Sequence, residues 1–232
     1  MAGLLVPPRL HGEEILDRPD IDPRVVTRSM EDVAKANALF GGIRAALAEI
    51  EDLAPTLAES ASLLDVATGT GDIPLAAARK LTKMGVHLTT FGLDSAEELA
   101  QKSRANVSAA VCANALELPL ASKSVDVVLC SQFLHHLFAA DIEKLVREMN
   151  RVARKRVVIS DLRRSWIAAG GLWIASFPLR FHPVSRHDGV VSVMRGFTRA
   201  ELRQIVSRAI GVDPRVVRRA GFRITASWTP TQ

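Results

Sequence analysis

The residues with the plainest chemical meaning lie together in one short stretch: Asp65, Ala67, Thr68, Gly69, Thr70, Gly71 and Asp72, directly after the apolar run Leu63-Leu64. Gly69 and Gly71 let a backbone turn tightly and approach a ligand with no Cβ in the way. A helix beginning near Ile73 would point its free N–H groups at that turn, and Pro74 suits the first helical turn. Two kinds of ligand use such a turn. A dinucleotide pyrophosphate asks for G-x-G-x-x-G, but Pro74 stands where the third glycine would be. Asp65 and Asp72 would repel a pyrophosphate, whereas they suit the sulfonium and ammonium groups of S-adenosylmethionine as long-range or water-bridged partners. The charge balance therefore favours S-adenosylmethionine and disfavours the alternative of an NAD(P)-binding oxidoreductase. Asp94 ends the next β-rich run, 23 residues past Gly71. An acid there can accept both ribose hydroxyls, and Asp94-Ser95 can also cap the helix that follows.

Methyl transfer from a sulfonium is an in-line displacement, so an enzyme mainly aligns the partners and excludes water. A phenol or enol acceptor must also lose a proton, and histidine does that near neutral pH. His135 and His136 are the candidate catalytic residues. Adjacent residues diverge by about 100° on a helix, which predicts that at most one of them faces the cleft. No Cys, Asp or Glu stands at ligand spacing beside them, so no metal is expected. The acceptor pocket is expected from Phe40, Phe133, Trp166, Trp173, Phe177, His182, Arg186 and His187. Most of these fall in residues 162–197, where aromatics alternate with Arg163, Arg164, Arg180, Arg186 and Arg195. That mixture suits a lipophilic or aromatic small-molecule acceptor and peripheral contact with an anionic membrane. A lid helix that completes the core is the alternative for the same segment.

Short β-rich runs at 62–67, 87–93, 108–113, 125–130 and 156–161 must position these groups. Helical stretches at 73–83, 96–105 and 141–152 separate them, and two further strands flank Gly221. The expected fold is α/β: a Rossmann-like, doubly wound, mostly parallel seven-stranded sheet with helices on both faces and an N-terminal helical lid. Residues 1–60 form a leader and lid, with the leader at 1–24 irregular and Gly41-Gly42 dividing two helices. Residues 61–232 form the main domain, with an acceptor-binding or lid insertion at 162–197, itself broken at Gly170-Gly171. Thr198 and Glu201 have capping-box spacing.

Composition sets the outer bounds. The chain has 232 residues, 48% hydrophobic and 24% charged, which fits a globular protein with a sizeable core. No run of about 18 uncharged apolar residues exists, so nothing is expected to span a membrane. Cys112 and Cys130 both sit in apolar runs and are expected as buried free thiols of a reducing, cytoplasmic setting. Residues 147–223 carry 17 Lys and Arg against 5 Asp and Glu. This basic part keeps a nucleic-acid methyltransferase as an alternative. Against it, Ser131-Gln132-Phe133-Leu134 stands where such an enzyme would carry Asn/Asp-Pro-Pro-Tyr/Phe, and aromatics are sparse. Oligomeric state is not legible.

The segments DVATGTGDI, LDSAEELAQKSR, ANALELPLASKSVDVVLCSQFLHHL and the closing AGF resemble successive motifs of the class I S-adenosylmethionine-dependent methyltransferases. The Ala-Thr-Gly-Thr-Gly-Asp version of the first motif is similar to the ubiquinone/menaquinone C-methyltransferase group and to small-molecule methyltransferases, including those of secondary metabolism. The resemblance implies that Ala67 to Gly71 line the cofactor, with Asp65 and Asp72 near its amino-acid end and Asp94 on the ribose. It places Asn114 and Ala115 where many members set an Asp-Ala pair against the adenine. Asn keeps an acceptor there and loses the charge. Ser131 and Gln132 would meet the methionine part. The stretch 29–44 is like the family's entry helix, with Asn37, Phe40, Gly41 and Arg44 as its candidates. Arg154-Lys155-Arg156 departs from the family's Gly-Gly turn before the fifth strand.

Overall fold

Asp22 opens the first long helix: its carboxylate accepts from the N–H of Arg24 at 2.8 Å, with Pro23 in the first turn. The computed structural model describes residues 6–231 apart from 11, 13 and 19, so part of the expected leader lies outside the described residues. Helix α1 (Pro23–Leu39) and helix α2 (Gly42–Glu51) meet at Gly41, which adopts a left-handed φ of 80°. Strands and helices then alternate as β1 (Ser60–Val66), α3 (Asp72–Thr82), β2 (His87–Asp94), α4 (Glu97–Ser103), β3 (Ala109–Cys112), β4 (Val125–Ser131), α5 (Ala139–Val152) and β5 (Ala153–Leu162). Helices α6 (Trp166–Ser176), α7 (Pro183–Arg195) and α8 (Arg199–Ile210) precede β6 (Arg215–Arg219) and β7 (Arg223–Trp228).

The seven strands form one sheet in the order β3-β2-β1-β4-β5-β7-β6. β1 to β5 are parallel, and β7 runs antiparallel to both β5 and β6. This is the Rossmann-like arrangement expected from the alternation. Both faces are covered. Leu63, Val127 and Leu129 pack with Ala46, Ile50 and Leu81 of the helices on one side. Leu64, Val128 and Cys130 pack with Leu145, Met149 and Val206 on the other. Strand residues that alternate between two apolar layers explain why these strands read as continuous apolar runs. Strand order reverses between β1 and β4, and the crevice beyond their carboxyl ends is where such sheets bind ligands.

Three expectations need correction. Gly170-Gly171 does not break the segment after β5, because α6 runs through it. Leu172, packed against Gly189 of α7, holds the helix despite a glycine cost of about 1 kcal/mol each. Cys112 is exposed, not buried, because β3 is a four-residue edge strand; Cys130 is buried, and both are free. The leader is not merely irregular. Arg164 donates to Pro7 O at 2.7 Å, and Asp188 accepts from the N–H groups of Ile15 and Leu16 at 2.9 Å each. The capping box of Thr198 and Glu201 forms as its spacing predicts.

One turn locks α1 and α2 to the sheet. Gly221, with φ of 72°, lies so close to the α1–α2 junction that a Cβ on it would come within 2.0 Å of Phe40 O. Gly221→Ala should therefore cost about 2–4 kcal/mol, from left-handed strain plus overpacking. Urea unfolding reads the loss, and an unchanged midpoint would refute the tight contact.

Candidate active site

The chemistry-bearing residues gather at the carboxyl ends of β1, β2, β4 and β5. After β1 the chain turns through Ala67 (φ 57°), Gly69 (φ 56°) and Gly71 (φ 80°) into α3. A Cβ on Gly71 would press on Asn106, Val107 and Ser103 at 3.2–3.3 Å, whereas one on Gly69 would meet nothing within 4 Å. Gly71 thus serves packing, and Gly69 opens toward space a ligand can use. Ala67 has no such freedom. A non-glycine residue held at positive φ stores of order 1–3 kcal/mol and marks a site the surroundings enforce. Gln132, after β4, is held the same way at φ 54°.

Hydrogen bonds fix the loop. Asp94 accepts from Gly69 N and from Ala96 N, each at 3.0 Å. Thr68 donates its hydroxyl to Asp65 Oδ2 at 2.9 Å, and Thr70 donates to Asp72 at 3.0 Å. Asn106, which the sequence reading did not single out, donates its amide to Thr70 O at 2.9 Å. Two polar atoms at the switch point are buried with no partner among the described residues, Asp65 Oδ1 and Ser131 Oγ. Burial pushes the Asp65 carboxyl up to about 7, against the Thr68 hydrogen bond and with a further upward push from Asp94. A buried acid short of partners, beside a glycine with open space, fits the ammonium end of S-adenosylmethionine.

The other expected cofactor residues are more peripheral. Asn114 is exposed, and its Oδ1 accepts from Leu116 N at 2.9 Å; Ala115 beside it is buried. Ser95 and Asp72 are exposed at the rim. Arg44 is exposed on α2, its guanidinium turned toward Gly41.

Beyond β4 and β5 lies a cavity of about 520 Å³, a size typical of small-molecule sites. Its walls include Met30 and Val33 from α1, Phe40 just after it, Ile167 and Leu172 from α6, and Val193 from α7. The apolar face of α1 is therefore a cavity wall, with Met30 and Val33 more than a third exposed. Phe40 lines the cavity. Phe133, Trp166, Trp173, Phe177, His182, Arg186 and His187 do not. Trp166, Trp173 and Phe177 point to the outside. Helix α6 is apolar all round, so periodicity could not say which face turns inward. His182 caps α7 through Val184 N, and Arg186 stacks over Phe177 at 3.8 Å. His187 bonds Asp188 at 2.8 Å.

His135 and His136 both line the cavity, contrary to the expectation of one. They sit in a 3-10 turn, Leu134–His136, with their rings 4.2 Å apart instead of diverging along a helix. His135 is buried, and its Nδ1 lies 2.7 Å from Asp161 Oδ1 at the end of β5. Burial alone would raise the Asp161 carboxyl, but pairing with His135 and the N–H of Leu162 hold it below the usual range. With Nδ1 engaged, Nε2 is the nitrogen left to take a proton. The leader adds Glu14, whose carboxylate gathers with both histidines within 4.8 Å. Sequence spacing could not show an acid arriving from so far along the chain. Glu14 also lies 3.4 Å from Arg195 and accepts from Ser192 at 2.7 Å.

Residues 64–159 match the family model described as a methyltransferase domain. No curated relative matches the chain by sequence. Among solved structures, the chain is similar to the plantazolicin methyltransferase BpumL in complex with SAH (TM-score 0.67, 14% identity, 91% of each chain covered). It is also similar to a SAM-dependent methyltransferase from Aquifex aeolicus (TM-score 0.58, 18% identity, 85% of this chain and 98% of that one). A third likeness is to the magnesium protoporphyrin IX methyltransferase of Synechocystis PCC 6803 with bound SAM (TM-score 0.55, 12% identity, 94% and 88%). Residues 64–159 thus match the methyltransferase domain model, and the chain shares the fold of these solved methyltransferases.

Proposed function

We propose that the protein methylates a small aromatic or lipophilic acceptor at oxygen or carbon, of phenol, quinol or polyketide-like character, in the cavity beside His135. The observation that carries this reading is the buried His135–Asp161 pair on the wall of an apolar cavity at the end of β4. S-adenosylmethionine, when bound, supplies an electrophilic methyl group on a sulfonium. Asp65, the backbone of Ala67 to Gly71, Asp94, Ser131 and Gln132 hold it, with Asp72, Ser95, Asn114, Ala115 and Arg44 at the margins. His135 takes the acceptor's proton on Nε2, and Asp161 fixes the tautomer and steadies the imidazolium. Phe40, Met30, Val33 and Ile167 exclude water from the reacting pair. Residues 162–197 act as the acceptor-binding insertion and α1 as the lid. Glu14 also pairs with Arg195 at 3.4 Å, and an ion-pair network is the role taken for the Glu14–His135–His136 cluster. A co-crystal structure with S-adenosylhomocysteine tests the reading. Its sulfur should face the cavity that His135 lines; a sulfur directed elsewhere would refute it.

The acid at the loop gives a pH signature. The folded protein keeps a proton on Asp65 up to about pH 7, which the unfolded chain releases above the ordinary aspartate value of 3.8. An acid with a raised pKa costs stability as pH rises through that window. The ammonium group of the bound ligand restores the ionised form. Binding of S-adenosylhomocysteine should therefore release close to one proton at pH 6 and almost none at pH 8.5. Calorimetry in buffers of different ionisation enthalpy measures this, and equal release at both values would remove Asp65 from the cofactor site.

The outward face of α6 supports a peripheral membrane role. Trp166, Ile167, Trp173 and Ile174 are exposed on α6, with exposed Phe177 directly after it and Arg180 nearby, and Ile167 also lines the cavity. Among the described residues no helix is long and apolar enough to cross a membrane. Such a face suits contact with an anionic bilayer from which a lipophilic acceptor could enter. Failure to pellet with anionic liposomes at low salt would exclude it.

A further inference from the structure

The cavity wall holds a buried charge with no hydrogen-bonding partner among the described residues. Arg223, the first residue of β7, lines the cavity and is only 4% exposed. Its Nε is buried without a partner, and its guanidinium makes no hydrogen bond or ion pair to any described residue. Neighbouring buried arginines are treated differently. Arg164 donates to Pro7 O and to Glu201, and Arg195 donates to the carbonyls of His135 and His136. Burial lowers the Arg223 pKa to about 10, opposed by attraction from Asp161, so the group stays charged at neutral pH. A buried cation without a partner is expensive to keep, and as a lining residue its forked donors are available to a ligand in the cavity.

We propose that Arg223 anchors an anionic oxygen of the methyl acceptor, so that the acceptor is an apolar molecule bearing a carboxylate or an ionised enol or phenol. This rests on the reading of the cavity as the acceptor site. Arg223 holds the anion while His135, which lines the same cavity, is the base that receives any proton the oxygen gives up. The arrangement selects among apolar molecules of similar size: one with an anionic oxygen satisfies the guanidinium, and a neutral one leaves it unpaired.

Probe binding to the S-adenosylhomocysteine complex at pH 7.5 tests this without relying on turnover. The probes are 2-naphthoate, its neutral near-isostere 2-naphthamide, and 4-nitro-1-naphthol, which is ionised at that pH. The parent protein should bind an anionic probe about 10- to 100-fold more tightly than the amide. Preference for naphthoate points to a carboxylate, and preference for the nitronaphtholate points to an ionised phenol or enol. Arg223→Leu should reduce either preference to within about twofold, while Arg223→Lys keeps part of it. Arg223→Leu should also unfold no earlier than the parent, since it removes an unpaired buried charge. Equal binding of anionic and neutral probes overturns the Arg223 assignment and leaves the cavity reading standing. A preference that survives in Arg223→Leu does the same. If no probe binds, both readings fall.

Discussion

Replacing His135 with alanine should lower methyl transfer by about 10²- to 10⁴-fold, while affinity for S-adenosylhomocysteine stays within about twofold. The split follows from position. His135 lines the cavity proposed for the acceptor and is tied to Asp161 on β5, whereas the loop proposed to hold the cofactor is built on β1 and β2. Added imidazole should restore part of the rate in His135→Ala, because the cavity left by the ring admits it. Asp161→Asn should also lose activity, since an amide in that place can donate to Nδ1 and favour the wrong tautomer. Imidazole should not rescue that variant. A His135→Ala rate within threefold of the parent would show that acceptor deprotonation does not pass through this residue.

The second large effect falls on the donor. Asp94→Ala should weaken S-adenosylhomocysteine binding by about 100-fold, on the basis of charged hydrogen bonds worth about 1.5–3 kcal/mol. It removes the ribose acceptor and also the carboxylate that accepts from Gly69 N and Ala96 N. Asp94→Asn separates the two roles, because its one carbonyl oxygen preserves only part of the network. Asp94 also pushes Asp65 upward. Its removal should therefore shift proton release on cofactor binding to lower pH. Calorimetric titration measures both effects, and unchanged affinity in Asp94→Ala would exclude the ribose role.

The layered fold was legible because its signal is local. Alternation of short apolar runs with helical stretches places β1 to β5, and Gly69, Gly71, Asp65 and Asp94 fall at strand ends where the sheet's own order makes a crevice. Thr198 and Glu201 likewise announced their helix by spacing alone. The acceptor side was less legible because its signal is not periodic. Helix α6 is apolar on every side, so nothing in the sequence told Ile167, which faces both the cavity and the outside, from Trp173, which faces only outward. Glu14 and Arg223 reach the cavity from opposite ends of the chain, and no spacing rule joins them. Asp161 carried a usable signal, an acid closing the apolar strand before Leu162, but its partner His135 becomes apparent only when β4 and β5 lie side by side. Cys112 misled because an apolar run reads the same on an edge strand as in the centre of a sheet.

The most direct test of the donor assignment is a calorimetric titration of the purified protein against S-adenosylhomocysteine and, separately, NAD. The geometry of Asp65, Gly69 and Asp94 predicts one molecule of S-adenosylhomocysteine bound per chain and no heat of binding from NAD. Binding of NAD without binding of S-adenosylhomocysteine would contradict it.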